Sequence, residues 1–408
     1  MKNTHKTGLA AVAMLLCAAT LAPAQDGVLA IRGGAIHTIS HGVIDNGVIL
    51  VRDGKILDVG RDIAIPDGAE VIDATGLVVT PGIIDSRTYY GLDSDARWDQ
   101  ENLLATARRI VDAFEPPEEN RWLMGGVTAV YMSPGPQNLL GGYGVVMKLA
   151  GDGPEAVVKD MAAMSASFGE SALDEFGLQE PGEEAREVSE RRTTRQGLIG
   201  RLRVELIRAQ EYLEGTQPSA EGEAGAAALE ALAPVLRGEL PFRVVANTPD
   251  DISTALRIAE EFDLKLIIDV GAGAHMVADR LAEAGVPVVV GPSIMGLGGG
   301  GPFEMFAQTP KNAGRLHRAG VKIALSTDAS RGRSVVLEAV VAKAHGLPED
   351  ATLRAVTLDA AEILGVADRL GSIEPGKDAD LVIWDGCPVG TWGESRRVIV
   401  NGRTVFER

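Results

Sequence analysis

The sequence predicts an α/β protein in which a (β/α)8 barrel of the TIM type carries a small composite β-sandwich domain. Three observations lead to this prediction. Strand patterns fill both ends of the chain, and strand and helix patterns alternate through the middle. The 408 residues suffice for one large and one small domain. We place the barrel at 81–372 and assign 25–80 together with 373–408 to the small domain.

The ends of the chain consist of short strands and turns. Apolar or alternating runs near the N-terminus lie at 28–31, 48–51, 55–59 and 70–72. Those near the C-terminus lie at 381–384, 398–400 and 404–406. Asp53-Gly54 and Asn401-Gly402 each stand between two such runs, as in a β-hairpin. The similarity of the two ends predicts one β domain assembled from both.

The middle of the chain alternates strand and helix. Runs rich in β-branched residues predict buried strands at 242–245, 264–270, 286–290 and 321–326. Apolar residues at helical spacing predict helices at 251–262, 274–284 and 311–319. Thr248 is a suitable N-cap, and Pro249 then falls at the first helical position. Repeated units predict a parallel sheet, closed as a barrel or, as the alternative, open and doubly wound.

The segment 166–240 departs from this alternation. It is rich in Glu, Ala and Gly, and 186–213 has the mixed charges of a solvated helix. We predict a helical insertion with a flexible acidic loop at 214–227. A glycine run at 296–301 predicts a mobile loop over the barrel mouth or, as the alternative, an anion cradle of backbone N–H groups.

The first 24 residues have the pattern of a signal peptide. Lys2 and Lys6 precede an apolar stretch at 8–21, and Ala22-Pro23-Ala24 fits the small-x-small cleavage rule. The stretch is short for a membrane span, so we predict export to the periplasm or the medium without a membrane anchor. The net charge of −18 and the lack of a long basic run argue against a nucleic-acid partner.

Three segments carry a resemblance to a known family. They are the Pro-Gly-Ile-Ile-Asp-Ser-Arg-Thr-Tyr run within 78–92, the Thr-Leu-Asp-Ala-Ala-Glu-Ile-Leu-Gly run at 357–365, and the Gly-Ser-Ile-Glu-Pro-Gly-Lys-Asp-Ala-Asp run that starts at 371. Through them the whole mature chain resembles the secreted, imidazolonepropionase-like branch of the amidohydrolase superfamily. The resemblance implies a hydrolase of non-peptide or dipeptide C–N bonds. It also implies one or two divalent cations, such as zinc, at the C-terminal mouth of the barrel.

The positions that hold the metal in this family carry other residues here. Arg87 and Tyr89 stand in place of the His-x-His of the first strand. Val245, Asn247 and Val270 stand where relatives carry further histidines. A structural zinc takes four protein ligands and a catalytic one three, all with N, S or O donors, so we predict no metal cofactor for this chain.

Two charged residues of the family pattern remain. Asp328 matches the aspartate of the last strand, and Lys148 matches a lysine of this branch. Lys148 falls on the third strand, whereas the carboxylated lysine of the family sits on the fourth. We expect Arg87 to replace the cation and to form a bidentate pair with Asp328, with Tyr89 filling the vacated volume. The alternative is that Arg87 turns outward as a surface residue.

Three functional hypotheses follow from this pattern. The first is a catalytically impaired protein or partner subunit, working as a homo-oligomer or as a heteromer with an intact homologue. The second is an active amidohydrolase with an atypical or single-metal site, in which Asp328 is the general base and Lys148 or Arg87 stabilises charge. The third is a periplasmic module that binds a small anion near Arg87.

Overall fold

A computed structural model describes most of the chain. The described ranges are 27–117, 121–151, 154–177, 194–216, 222–293, 304–329, 335–390 and 393–408. The predicted signal peptide, the glycine run at 296–301 and the first part of the predicted helix at 186–213 lie outside these ranges. No helix of the described residues is long and apolar enough to cross a membrane.

The small domain is a mixed β-sheet built from both ends of the chain. Its strands are β1 (Leu29–His37), β2 (Val43–Arg52), β3 (Lys55–Gly60), β4 (Glu70–Asp73), β5 (Val78–Pro81), β14 (Leu381–Trp384), β15 (Ser395–Val400) and β16 (Arg403–Glu407). The order is β16-β15-β14-β5-β1-β2-β3, and β4 also pairs with β1. The antiparallel β5–β14 pair joins the two ends of the chain. The predicted composite β domain is therefore confirmed.

The large domain is an eight-stranded barrel. Its strands are β6 (Ile83–Thr88), β7 (Val127–Met132), β8 (Leu140–Lys148), β9 (Val157–Ser167), β10 (Phe242–Val245), β11 (Leu266–Val270), β12 (Val288–Val290) and β13 (Ile323–Leu325). They follow one another in sequence order around the barrel. Just beyond the strand ends, Asp328 N donates to Arg87 O (3.0 Å) and Tyr89 N donates to Ala329 O (2.9 Å), which closes the ring at its mouth. The barrel prediction is confirmed, and the open doubly wound alternative is wrong.

One strand of the barrel runs against the others. β8 is antiparallel to both β7 and β9, whereas the remaining pairs are parallel. The cause is the short connection from Met132 to Leu140, because a parallel return needs a crossover of a dozen residues or more. The expectation of a fully parallel sheet was wrong at this strand. As a result, the C-terminal end of β8 lies at the opposite end of the barrel from the mouth.

Helices surround the barrel. They are α1 (Arg121–Met124), α2 (Glu170–Gly177), α3 (Arg195–Leu213), α4 (Gly222–Glu230), α5 (Ala233–Leu236), α6 (Pro249–Phe262), α7 (Ala278–Glu283), α8 (Asn312–Arg318), α9 (Val335–Ala344), α10 (Glu349–Ala355) and α11 (Leu358–Leu364). The start of α6 is as predicted: the Thr248 side chain accepts a hydrogen bond from Asp251 N, with Pro249 in the first turn.

Between β9 and β10, the described residues of the segment 166–240 form the helices α2 to α5, and its acidic part is not all loop. α4 includes residues 222–227, which we expected to be part of a flexible loop. The helix α4 contains four alanines, and alanine has the highest helix propensity. α3 buries Leu198, Leu202 and Leu206 in the same hydrophobic cluster as the outer faces of the barrel strands.

The inside of the barrel has an apolar part and a charged part. Small and apolar side chains such as Ala129, Val146, Ile267 and Val289 form one cluster inside the ring of strands. Toward the mouth lie charged side chains, of which Asp85, Arg87 and Asp269 are 0% exposed. A packed interior is normal for an eight-stranded barrel, but buried charge needs partners to offset its lost hydration. The charged layer is therefore where a functional site would lie.

Candidate functional site: a buried guanidinium network at the barrel mouth

Arg87 is at the centre of the charged layer. It lies near the C-terminal end of β6, and its side chain is 0% exposed. Asp269, at the end of β11, is equally buried, and Asp328, three residues beyond β13, is 7% exposed. The ends of β6 and β11 and the segment after β13 thus bring a cation and two carboxylates to one place at the mouth.

Arg87 uses all of its nitrogens inside the barrel. Nε donates to Asp328 Oδ1 at 2.9 Å, and Nη1 lies 3.2 Å from Asp269 Oδ2. Nη1 also donates to the hydroxyl of Ser133. Nη2 donates to the Tyr89 hydroxyl at 3.0 Å. The alternative of an outward-facing Arg87 is wrong. The pair with Asp328 is present, but through a single hydrogen bond, because the fork of the guanidinium is shared among several acceptors.

A second guanidinium, which the sequence analysis missed, stands beside the first. Arg243 of β10 is 1% exposed and makes the bidentate contact: Nε and Nη2 both bind the Asp269 carboxylate, the closest at 2.6 Å. Nη2 also donates to Ser86 O at 2.9 Å, and Cζ lies 3.9 Å from the centre of the Tyr131 ring. The sequence carries one signal for this pair, because Arg243 and Asp269 are each the single charged residue of a short apolar strand. Asp269 joins the two arginines into one network.

The network holds its charges in fixed states. Burial lowers the pKa of Arg87, but Tyr89, Asp328 and Asp269 outweigh that effect and hold it above its usual value. Burial raises the pKa of Tyr89, more than Arg87 lowers it, and Asp328 raises it further. Arg87 is therefore a permanent cation and Tyr89 a neutral phenol. Neither can give or take a proton at neutral pH as a general acid or base does.

Asp85 lies next to this network but does not bind the guanidinium. Its Oδ2 accepts from the Thr327 hydroxyl at 2.6 Å, and its Oδ1 accepts from Thr327 N at 3.1 Å. Burial raises the pKa of Asp85 to about 7, against the lowering effect of those hydrogen bonds. Arg87 and Tyr89 are in direct contact, whereas the Asp85 side chain binds Thr327.

The stability of the protein should depend on the protonation of Asp85. The carboxyl of Asp85 keeps its proton up to about pH 7 in the folded protein, whereas the usual pKa of an aspartate is 3.8. The folded state therefore binds more protons in this window, and its stability should fall as pH rises toward 7. The slope for one such group is at most about 1.4 kcal/mol per pH unit. Urea unfolding of the wild type and of Asp85→Asn should be followed from about pH 4 to about pH 9. The stability of the wild type relative to the variant should fall up to about pH 7 and stay level above it. A difference that stays constant with pH would contradict this assignment.

Lys148 does not belong to the site at the mouth. Because β8 is antiparallel, this residue lies at the other end of the barrel, opposite Ala129 at the start of β7. Its Nζ is 2.7 Å from Asp378 Oδ2 and 3.0 Å from Asp380 Oδ1, and it also donates to Asn401. The expected catalytic role beside Asp328 has no support in this geometry. Lys148 ties the barrel to the small β domain.

The other positions expected to have lost metal ligands also lie at the mouth. Val245 and Val270 end β10 and β11, and both are buried. Val270 has a φ of 64°, a left-handed conformation that is rare for a β-branched residue. The Asn247 amide donates to the buried carboxylate of Glu304 at 3.2 Å. Burial raises the pKa of Glu304, which sequence reasoning did not single out.

The residues at the mouth do not fit a divalent metal. Valine has no lone pair, and the carboxylates of Asp269 and Asp328 are already bound to guanidinium groups. Within the ranges that the structure describes, no three His, Cys, Asp or Glu side chains are grouped as a metal would need. The chemistry that this arrangement supports is ion pairing and hydrogen bonding.

Comparison with known proteins identifies the class to which this barrel belongs. The family model of the amidohydrolase family matches residues 307–405. The crystal structure of an amidohydrolase from Thermotoga maritima MSB8 superposes with a TM-score of 0.82 at 32% identity, covering 93% of this chain and 100% of that one. The chain belongs to the amidohydrolase family.

Curated relatives are more distant in sequence. The chain is 27% identical over 394 residues to the amidohydrolase tasK of Hapsidospora irregularis, covering 88% of this chain. It spans 40% of the length of that relative. It is 26% identical over 386 residues to an imidazolonepropionase of Mesorhizobium japonicum, covering 84% of this chain and 87% of that protein. These matches agree with the superfamily that residues 78–92 and 357–382 indicated.

Proposed function

We propose that this chain is an amidohydrolase-family protein that has lost metal-dependent hydrolysis and serves as a non-catalytic subunit. The observation that carries the proposal is the position of Arg87. Its fully buried guanidinium lies within hydrogen-bonding distance of both Asp269 and Asp328. By resemblance, the lost reaction is the hydrolysis of a non-peptide or dipeptide C–N bond.

A guanidinium supplies charge without supplying the chemistry of a metal. It stabilises the remaining carboxylates, as a cation would, and it cannot be deprotonated in a protein. It has no vacant orbital with which to bind water and lower the pKa of that water, which is the main contribution of a metal ion in hydrolysis. A metal entering the mouth would also have to displace Arg87 and leave its charge buried and unpaired. Retention of the fold with this substitution favours a structural or regulatory role.

The setting of this role is part of the proposal. The pattern of the first 24 residues supports export, with the mature chain in the periplasm or outside the cell. The partner is a second copy of this chain or a homologue with an intact metal site. Light scattering of the mature chain, alone and mixed with such a homologue, would distinguish the two assemblies.

The metal content of the purified mature protein tests the central claim. The protein is exposed to excess zinc, dialysed and measured by mass spectrometry, beside carbonic anhydrase treated in the same way. We expect less than about 0.1 zinc per chain, compared with about one for the control, because zinc sites hold their metal through three or four ligands. One tightly held metal per chain would overturn the proposal and favour an active amidohydrolase with an atypical site.

A further inference from the structure

The helix α3, the longest of the described helices, has an apolar patch on the face that points away from the barrel. Its inner face is buried through leucines such as Leu198, Leu202 and Leu206. On the outer face, Val204 is 55% exposed and Ile207 is 43% exposed. These two side chains are three residues apart and are therefore neighbours on the helix surface. They form one exposed apolar patch, and such patches are typical of interaction surfaces.

Two glycines lie on the same face of α3. With 3.6 residues per turn, Gly197 and Gly200 are both within about 40° of Val204 around the helix axis. A Cβ at Gly200 would meet open space, and one at Gly197 would meet only the Thr194 hydroxyl, at 3.4 Å. Packing within the chain therefore does not require glycine at either position. Glycine is unfavourable in a helix, and its usual benefit is the close approach of a second backbone.

The charges on this outer face are complementary to each other. Arg201 lies on the N-terminal side of the apolar patch, and Glu211 lies on its C-terminal side. Three other arginines of the helix have carboxylate partners within the chain, namely Arg195, Arg203 and Arg208. Arg201 has none among the described residues. A basic group before the patch and an acidic group after it match a second copy of the same face that runs in the opposite direction.

We propose that two copies of this chain form a symmetric dimer through the outer faces of α3, packed antiparallel. Val204 of one copy then packs against Ile207 of the other, and the glycines let the two helices approach closely. Arg201 lies about 5 Å before Val204 along the axis, and Glu211 lies about 6 Å beyond Ile207. Each Arg201 is therefore level with Glu211 of the other copy, as a two-fold interface requires. The dimer goes beyond the proposed loss of catalysis, because a chain that binds zinc could form it equally well.

Sedimentation velocity of the full mature chain, from micromolar to millimolar concentration, tests the dimer. We expect the wild type to shift from monomer to dimer as the concentration rises. Val204→Asp should weaken the association by about tenfold or more, because it brings a charge into an apolar contact. Leu337→Asp is the matched control, since Leu337 lies on α9 and is 54% exposed, and it should leave the association unchanged. A monomer at every concentration, or a dimer that Val204→Asp does not weaken, would overturn the proposal.

A charge exchange tests the antiparallel arrangement. Arg201→Glu and Glu211→Arg should each weaken the dimer, because like charges then face each other, and the double variant should recover most of the lost affinity. The two residues lie about 15 Å apart along one helix, so they do not compensate each other within one copy. Gly200→Leu should also weaken the dimer and leave the circular dichroism spectrum unchanged, because its side chain meets open space in the single chain. No recovery in the double variant would rule out this pairing.

Discussion

Replacing Arg87 with methionine should lower the free energy of unfolding by about 3–5 kcal/mol. Methionine fills a similar volume, so the loss comes from the charge. Asp328 and the hydroxyl of Tyr89 would lose their donor inside the barrel, and Asp269 would keep only Arg243. Breaking a buried pair on one side costs this much because the remaining charge has neither water nor partner. Urea unfolding followed by circular dichroism measures the change.

Two further variants separate the charge from the general effect of mutation. Arg52→Met on the exposed surface of β2 should change stability by less than about 0.5 kcal/mol. In a double-mutant cycle, Asp328→Asn should reduce the cost of Arg87→Met, because the carboxylate left unpaired is then neutral. A wild-type stability for Arg87→Met would mean that the buried network contributes little and that the mouth can rearrange.

Replacing Lys148 with methionine is the second large effect, at the other end of the barrel. Lys148 is 1% exposed, and its two aspartate partners are 2% and 4% exposed. Its removal leaves Asp380 without a cation among the described residues, so we expect a loss of about 3–5 kcal/mol. Burial already raises the pKa of Asp380 despite the opposing effect of Lys148, so its charge is poorly tolerated. The same urea unfolding measurement applies.

The chain offers a matched control for Lys148. Lys55 binds the same carboxylate, Asp378, but its side chain is 49% exposed. Lys55→Met should therefore cost about 1 kcal/mol or less, because solvent screens an exposed pair. If the two lysine variants lose the same stability, burial does not set the strength of these pairs and the assignment of Lys148 as a buried cross-link is wrong.

Much of the fold was predictable from local patterns. The β10 run and the cap at Thr248 gave the right elements because each depends on a few adjacent residues. The direction of β8 was not predicted, because an apolar strand has the same period in either direction. The short connection after Met132 carried that information. The helix at 222–227 was not predicted, because the acidic composition of this segment favours a loop whereas the alanines of α4 favour a helix.

One residue of the site, Arg87, could be predicted from the sequence. Arg87 stood out because the family pattern names its position, and its contact with Asp328 followed from the neighbouring ends of the barrel. Arg243 and Asp269 could not be paired from the sequence, since their contact depends on the register of β10 against β11 and on the inward faces of both. The prediction for Lys148 failed for the related reason that strand direction determines which end of a strand lies at the mouth.

The small β domain has a consequence for the order of folding. Trp384 of β14 donates a hydrogen bond to Thr80 of β5, although the two residues are 304 positions apart in the chain. The barrel is the loop that this contact must close, and closing an unfolded loop of that length carries a large entropic cost. A barrel that is already folded holds β5 and β14 close together and removes most of that cost. The sheet of the small domain should therefore form last, after β14 to β16 have been synthesised. Unfolding of the barrel should separate the two halves of this sheet.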